Sequence, residues 1–567
     1  MHHAGGGVFV KRFIPIIDWF RTYRPGWLRL DIIAGLTTAA VVIPKTMATS
    51  VIAGVPIEVG LYTALVPMAI YAVFGTSRPL SMSTTTTIGM LSATALARLE
   101  EGDPQAVASA AAGLAAMVGL ALLLASFLHL GAVANLISDP VLMGFKTGLG
   151  LAIVVDQLPK LLGIHFPKSG FLRNIAALVR HLPETSPATL AVGAATVIAI
   201  FLLARFLPKV PGPLVAVAGG IMASGLLGLA KSGVAIVGHM PPGLPGFRMP
   251  ELRMLEELWP AAVGIALMSF TESVAVGRAF VGKDEPRPDA NQELRALGLA
   301  NIAGSLFHAM PAGGGTSETA VNRRAGAQTQ LSELVTVAVA VLAVLFLAPL
   351  IGLMPQATLA AVVISTTVGL VKLKEIRAIL EVRKMEFSWA VCAAIGVVLL
   401  GTLKGILVAI IVSVVAMAYD AYHCPVYALG RKRGTDVFRK LSSEHPDDEP
   451  IPGLLMLRTE GRIHFANAQG VGDKMWPLVQ QFQPKVLVLD CSAIPDIEYT
   501  ALRMLADGEE KLRHQNISLW LAALNPATLA VVRRSALGER LGHERMCLDL
   551  AQAVSRFQAL KEHASPA

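Results

Sequence analysis

Five windows of this chain contain no Asp, Glu, Lys or Arg at all: residues 104–138, 185–204, 210–230, 296–317 and 334–371. A helix crosses the hydrocarbon of a bilayer in about 20 apolar residues. Each window therefore holds at least one span, and the two longest have room for more. The chain is predicted to fold largely as membrane-crossing helices.

The missing charge is concentrated at the C-terminal end. Residues 441–567 carry 13 Lys/Arg and 16 Asp/Glu, whereas the first 440 residues carry 35 and 24, a net of +11. With 16% charged residues overall, against about 25% in soluble domains, the composition reads as a membrane part followed by a soluble part. The basic residues lie in short clusters between apolar stretches, which sets topology and gives no basis for a nucleic-acid partner. Cys392, Cys424, Cys491 and Cys547 fall in no paired or metal-ligand spacing, so neither disulfides, a metal nor any cofactor is expected. The Met1 to Gly7 start lacks the n-region and h-region of a cleaved signal peptide, and the first span is expected to target the chain.

Charges and Pro/Gly breaks divide the membrane part into fourteen segments: 31–52, 59–75, 84–98, 106–128, 137–156, 187–207, 212–230, 258–281, 291–308, 315–324, 331–351, 355–372, 386–401 and 403–421. With the N-terminus in the cytoplasm, even-numbered connections should be basic. Lys11, Arg12, Arg21, Arg24 and Arg29 before the first span, and Arg78, Arg205, Lys209, Arg323, Arg324 and 372–384 later, follow that rule. Lys160, Lys168, Arg173 and Arg180 after the fifth span are the main exception.

The third and tenth segments are poor spans. One opens Ser81-Met82-Ser83-Thr84-Thr85-Thr86-Thr87 and the other Ala312-Gly313-Gly314-Gly315-Thr316-Ser317-Glu318-Thr319, each soon after a proline, Pro79 or Pro311. Each is the third element of a seven-segment half, and interrupted segments at corresponding places in two halves point to the binding site of an inverted-repeat transporter. Lys45 lies 39 residues before Thr84 and Glu272 lies 44 before Thr316, so intramembrane charges also occupy matching places. A half-helix beginning in mid-membrane offers unbonded N–H groups and the positive end of its dipole, which favour an anion. Small residues that merely permit close helix packing are the plainer alternative.

The residues in these positions resemble the sulfate permease (SulP) anion transporter family. In the first half the resemblance lies in Asp31 to Thr37 (DIIAGLT), Ile43-Pro44, Ala53-Gly54-Val55-Pro56, Gly60-Leu61-Tyr62 and Gly75 to Ser81 (GTSRPLS). In the second it lies in Glu272-Ser273, Asn291 to Leu294 (NQEL), Asn301-Ile302, Thr319 to Asn322 (TAVN) and Ala325-Gly326-Ala327. The resemblance implies an α-helical polytopic membrane protein of two inverted seven-helix repeats, with a core domain moving against a gate domain, and a cytoplasmic α/β STAS domain behind it. It also implies a small anion substrate and a homodimer. Three departures bear on mechanism: Lys45 stands where the family usually has Gln, Glu318 where it often has Arg, and Met82-Ser83 replace a common Gly-Pro. A positive charge has moved from the tenth segment to the first.

The expected substrate-binding residues are Lys45, Thr84, Thr85, Glu272, Gly315, Thr316 and Ser317, with Glu272 and Glu318 as coupling residues. Intramembrane ionisable groups cost at least about 2.5 to 3.5 kcal/mol to insert, which makes each a functional candidate. Lys45 either meets the substrate or neutralises Glu272 or Glu318; Glu272 either binds a coupling proton or holds helices in register; Glu318 either faces the site or caps a helix. Coupling to protons or to sodium fits this set. His129 reads as bonded to a helix carbonyl in preference to a relay, Gly144 and Gly148 as a packing pair, and Asp289 to Gln292 as a capping box.

Domain boundaries are expected at 1–30 (N-terminal segment), 31–422 (transport domain), 423–450 (linker) and 451–562 (STAS domain). In the tail, 454–458, 462–465, 486–490 and 517–522 read as strands and 499–514, 526–535 and 550–561 as helices. Leu489 to Leu502 (LDCSAIPDIEYTAL) resembles the STAS signature, in which only Thr500 matches the phosphorylated position, and a helix cap is the preferred reading for it. Enzyme motifs are absent. A secondary anion transporter in the inner (plasma) membrane, with both termini cytoplasmic, is the reading carried forward, with a passive channel or a non-transporting sensor as alternatives.

Overall fold

The computed structural model describes residues 14–97, 104–135, 138–166, 170–207, 210–238, 240, 243–250, 255–282, 285–369, 371 and 373–563. Lys11, Arg12, Lys168, Lys209 and the last residue of the third expected segment lie outside them. Two compact units meet between Val414 and Val415, inside the last membrane helix.

After a short helix, α1 (Ile16–Arg21), the first unit begins with α2 (Trp27–Ala53), which runs through Pro44 and ends on Gly54 in the left-handed conformation. The second segment breaks into α3 (Ile57–Thr63) and α4 (Val66–Phe74), the restart coinciding with Pro67. Strand β1 (Met82–Ser83) then leads into α5 (Thr86–Leu96), followed by α6 (Pro104–Phe127), α7 (Asp139–Leu162), α8 (Phe171–His181), α9 (Pro187–Phe206) and α10 (Gly212–Leu227). The second half comprises α11 (Leu255–Ala279), α12 (Ala290–Ser305), β2 (Gly313–Gly314), α13 (Thr316–Arg324), α14 (Leu331–Leu342), α15 (Ala348–Ile351), α16 (Gln356–Val368), α17 (Leu373–Val382), α18 (Lys384–Leu400) and α19 (Thr402–Tyr422). Each of the fourteen expected segments contains described helix, and among the described residues eight helical stretches, with Ile57–Phe74 and Leu331–Ile351 each taken whole, are long and apolar enough to cross a membrane by length and composition.

The halves pack reciprocally. The first helix of each lies on the fourth of the other, α2 on α14 and α11 on α6. The fifth of each lies on the sixth of the other, α7 on α18 and α16 on α9. This gives two groups, α2–α6 with α11–α15, and α7, α9 and α10 with α16, α18 and α19. Gly144 and Gly148 show why the second group closes up: a Cβ on either would sit 1.9 Å from the Ala390 carbonyl or 2.5 Å from that of Ala394. They are packing glycines, as expected.

Two helices between expected spans were not anticipated. α8 and α17 each connect the fifth element of a half to its sixth, and both are amphipathic, as in Phe171-Leu172-Arg173-Asn174-Ile175. No residue of α8 is buried. Such a helix suits the plane of the membrane surface, which explains why Arg173 and Arg180 break the basic-connection rule: they belong to a surface helix and carry no topology signal.

The second unit is a seven-stranded sheet in the order β4-β3-β6-β7-β8-β9, with β5 paired to β3. Its strands are β3 (Val426–Lys432), β4 (Phe438–Lys440), β5 (Asp448–Glu449), β6 (Leu454–Thr459), β7 (Val486–Asp490), β8 (Ser518–Ala522) and β9 (Met546–Cys547). Strands β6 to β9 are parallel and β3 to β5 antiparallel. The inner strands bury alternate residues on two faces: Leu455, Leu457, Leu487 and Leu489 on one, Leu454, Met456, Val486 and Val488 on the other. Both faces are covered, as a parallel sheet requires, by α20 (Ala468–Phe482), α21 (Tyr499–His514), α22 (Pro526–Arg533), α23 (Ala536–Leu541) and α24 (Leu550–His563).

Three expectations for the tail are corrected. The 423–450 stretch is no linker, because β3 to β5 lie within it and β3 pairs directly with β6. Residues 462–465 form only a single bridge, Ile463 to Ile497. Thr500 is not a cap: Glu498 holds that position, and Thr500 lies exposed in the first turn of α21.

Candidate functional site

Neither α5 nor α13 spans a bilayer. Their 11 and 9 residues reach only about 16 and 14 Å at 1.5 Å per residue. Each is preceded by a two-residue strand, and β1 and β2 pair antiparallel, Met82 opposite Gly314 and Ser83 opposite Gly313. That crossing brings the two helix starts into one place, although the paired residues are 230 and 232 positions apart in sequence; Ser83 from one approach hydrogen bonds Glu318 of the other at 3.2 Å.

Buried polar residues hold this crossing in place. Gln330 donates to the carbonyls of Ser77 (2.7 Å) and Leu80 (2.9 Å), and Asn322 donates to that of Pro79 (3.1 Å). On the other approach, Ser273 accepts from the Gly314 N–H at 2.7 Å, Asn301 brackets Ala312 through both its N–H and its carbonyl, and Ser269 donates to that carbonyl at 2.8 Å. Three buried carboxylates brace the halves together. Glu293 accepts from Tyr71 (2.8 Å) and from the Thr76 N–H (2.8 Å), Glu333 from Ser81 (2.9 Å) and Asn322 (2.8 Å), and Asp31 from Thr329 (2.7 Å) and the Gln328 N–H (2.7 Å). The sequence points to Glu293 only as part of the NQEL stretch and does not point to Glu333.

At the α5 start, Thr85 is the N-cap and accepts from the Ile88 N–H at 3.3 Å. Its hydroxyl also donates to Glu272, at 3.3 Å, and Thr87 donates to the other oxygen of the same carboxylate at 3.2 Å. Glu272, from α11, is buried and pairs with Lys146 of α7 at 3.2 Å. Lys146 went unnoticed in the sequence, although it stands seven residues beyond Asp139 inside a span. Thr84 is fully buried, and its hydroxyl has no hydrogen-bond partner among the described residues.

At the α13 start, Gly315 is the N-cap and its N–H donates to the Ser81 carbonyl at 3.0 Å. Glu318, in the first turn, folds back over the helix end and pairs with Lys45 at 2.5 Å. Gly315 leaves room for that carboxylate, since a Cβ would lie 2.3 Å from it. Glu318 is 0% exposed, and its second oxygen has no partner among the described residues. Thr316 and Ser317 are exposed. The structure therefore gathers the expected residues into two clusters: Thr85 with Glu272, and Lys45, Gly315, Thr316 and Ser317 with Glu318.

Chemically, each half-helix end already faces a carboxylate, and each carboxylate has a lysine. Backbone N–H groups, hydroxyls and two ammonium groups balanced by two carboxylates thus lie at the two helix starts. His129 stands apart, exposed beyond α6 with its Nδ1 at 3.1 Å from the Phe127 carbonyl. Asp289 caps α12 through the N–H groups of Asn291 (2.9 Å) and Gln292 (3.0 Å), but Gln292 bonds the Phe74 carbonyl instead of reciprocating, so the cap is one-sided.

Comparison with known proteins agrees with this architecture. The sulfate permease family pattern matches residues 28–394 and the STAS domain pattern residues 445–553. A probable sulfate transporter of Mycobacterium tuberculosis is 31% identical over 548 residues, covering 96% of this chain and 98% of that protein. Sulfate transporter 4.1 of Arabidopsis thaliana, a chloroplastic protein, is 28% identical, with 96% of this chain and 82% of that one covered. Among solved structures, the murine Slc26a9 anion transporter in its inward-facing state shares the fold at a TM-score of 0.88 and 20% identity, over 98% of this chain and 96% of that one. The transmembrane domain of a cyanobacterial bicarbonate transporter, BicA, superposes at a TM-score of 0.60 and 24% identity, covering 68% of this chain and 97% of that domain. With its transport fold and its C-terminal STAS domain, this chain belongs to the sulfate permease family.

Proposed function

We propose that the chain is a secondary transporter that carries a small anion, sulfate-like, bicarbonate or dicarboxylate, across the membrane by alternating access. One observation carries the reading: the β1–β2 crossing sets two half-helix starts together among two lysine–carboxylate pairs whose carboxylates are buried. Helix starts favour anions, and broken helices at corresponding places in two halves are a transporter device. The relatives named as sulfate transporters support a sulfate-like oxyanion.

The site is neutral before the anion arrives, with Lys45 and Lys146 against Glu272 and Glu318. An anion therefore enters with a cation, and we assign that role to a proton taken by Glu272, whose carboxylate is freed as its lysine turns to the substrate. The chain works as a homodimer in the inner (plasma) membrane, with both termini in the cytoplasm.

Uptake of radiolabelled sulfate into proteoliposomes tests this. Saturable uptake that is competed by other anions and accelerated by an acid exterior is expected. Acceleration by sodium alone would reassign the coupling ion, unsaturable conductive flux would make the protein a channel, and flux of none of these anions would leave the sensor reading. For topology, a unique cysteine at the exposed Ser443 should escape an impermeant reagent applied outside intact cells.

A further inference from the structure

We propose that Lys146, on α7, is the cation that the anion meets, and that Lys45 is committed to Glu318. This rests on the transport reading above and deepens it by naming a substrate-binding residue outside the helices that carry the half-helix motifs.

The two lysines differ in how firmly they are held. Lys45 lies 2.5 Å from a carboxylate that is 0% exposed and anchored by Ser83, and its own side chain is 11% exposed. Lys146 lies 3.2 Å from Glu272, whose other hydrogen bonds, to Thr85 and Thr87, are also long at 3.3 and 3.2 Å, and its side chain is 23% exposed. Exchanging the Lys45 partner would strand a fully buried carboxylate, which is costly. At Lys146 an arriving anion replaces one acceptor by another at a less buried place, and Glu272 keeps two hydroxyl donors. Lys146 also comes from the other helix group, since α7 packs on α16 and α18 while Glu272 belongs to α11. The anion would thus be bound across the two groups.

Sulfate uptake by the full-length protein in proteoliposomes tests the assignment. Lys146→Gln should raise KM at least tenfold with maximal rate within about threefold of the parent, and Lys146→Arg should recover most of the affinity. Lys384→Gln, an exposed charge at the start of α18, should change neither. Because the single variant leaves Glu272 without its lysine, Lys146→Gln/Glu272→Gln serves as a second arm with no lone buried charge. It should fold and still bind sulfate weakly, read as loss of the thermal shift that sulfate gives the parent. Parental affinity in the double variant, or a fall in rate at unchanged KM in the single, would mean that Lys146 serves only to position Glu272 and would overturn the proposal. If the parent moves no anion, the transport reading fails first and takes this one with it.

Discussion

The starts of α5 and α13 share a backbone plan but divide the charge differently. At α13 the carboxylate belongs to the half-helix itself: Glu318 lies over its own N-terminus, closed by Lys45 and fully buried. At α5 the half-helix offers only hydroxyls, and both charges come from elsewhere, Glu272 from α11 and Lys146 from α7. A carboxylate on the helix it caps moves with that helix. One supplied by neighbours changes its partners when the neighbours move. We infer a fixed, structural charge pair at α13 and an exchangeable one at α5.

The strongest way to break the comparison is to remove one member of the fixed pair. Lys45→Met or Glu318→Leu alone should destabilise the protein by about 3 to 5 kcal/mol, since each leaves a lone buried charge. The double variant should recover most of that loss, as read by thermal unfolding in detergent. Equal stability of singles and double would mean that Lys45 and Glu318 do not depend on each other.

A smaller effect is expected at Gly315. Its φ of −93° suits any residue, so Gly315→Ala tests only the space beside Glu318, and a cost of about 1 to 3 kcal/mol from overpacking is expected. The cost should shrink when Glu318 is truncated in the Lys45→Met background. At the exchangeable end, Thr85→Val removes a cap and a donor to Glu272. It should cost about 1 kcal/mol of stability while lowering sulfate flux by more than that loss explains. An unaltered flux would detach Thr85 from the site.

The smallest effect concerns the tail. A cut at residue 441 would strand β3 and β4 without β6, so the informative truncation ends at His423. That protein should bind sulfate with near-parental affinity, because every residue of the proposed site lies before Val414. A large loss of affinity in a folded truncation would make the STAS domain part of the site.

Much of this was legible in the sequence where the chemistry was local. The Ser/Thr-rich and Gly-rich openings, each behind a proline, announced two half-helices, and both begin within two residues of the expected place. The matched positions of Lys45 and Glu272 announced intramembrane charge. What the sequence could not express was partnership across the fold. Lys45 lies with Glu318 and Glu272 with Lys146 because of how two halves cross, and spacing along one chain carries no such information. Lys146 was obscured by the apolar residues around it, and Glu293 and Glu333 by lying near helix starts, where acidic residues are ordinary. In the tail, β4 was hidden because it is a three-residue edge strand with Arg439 and Lys440, as edge strands are often charged, and β3, an inner strand, because it ends in Arg431 and Lys432.

The most direct test places an anion in the site and looks at it. Selenate, the heavier analogue of sulfate, gives an anomalous signal that marks its position in crystals of the full chain. One selenium peak is expected between the N-termini of α5 and α13, within hydrogen-bonding reach of Lys146, with the Lys45–Glu318 pair intact. A peak away from both helix starts, or one bound by Lys45 with Glu318 displaced, would contradict it.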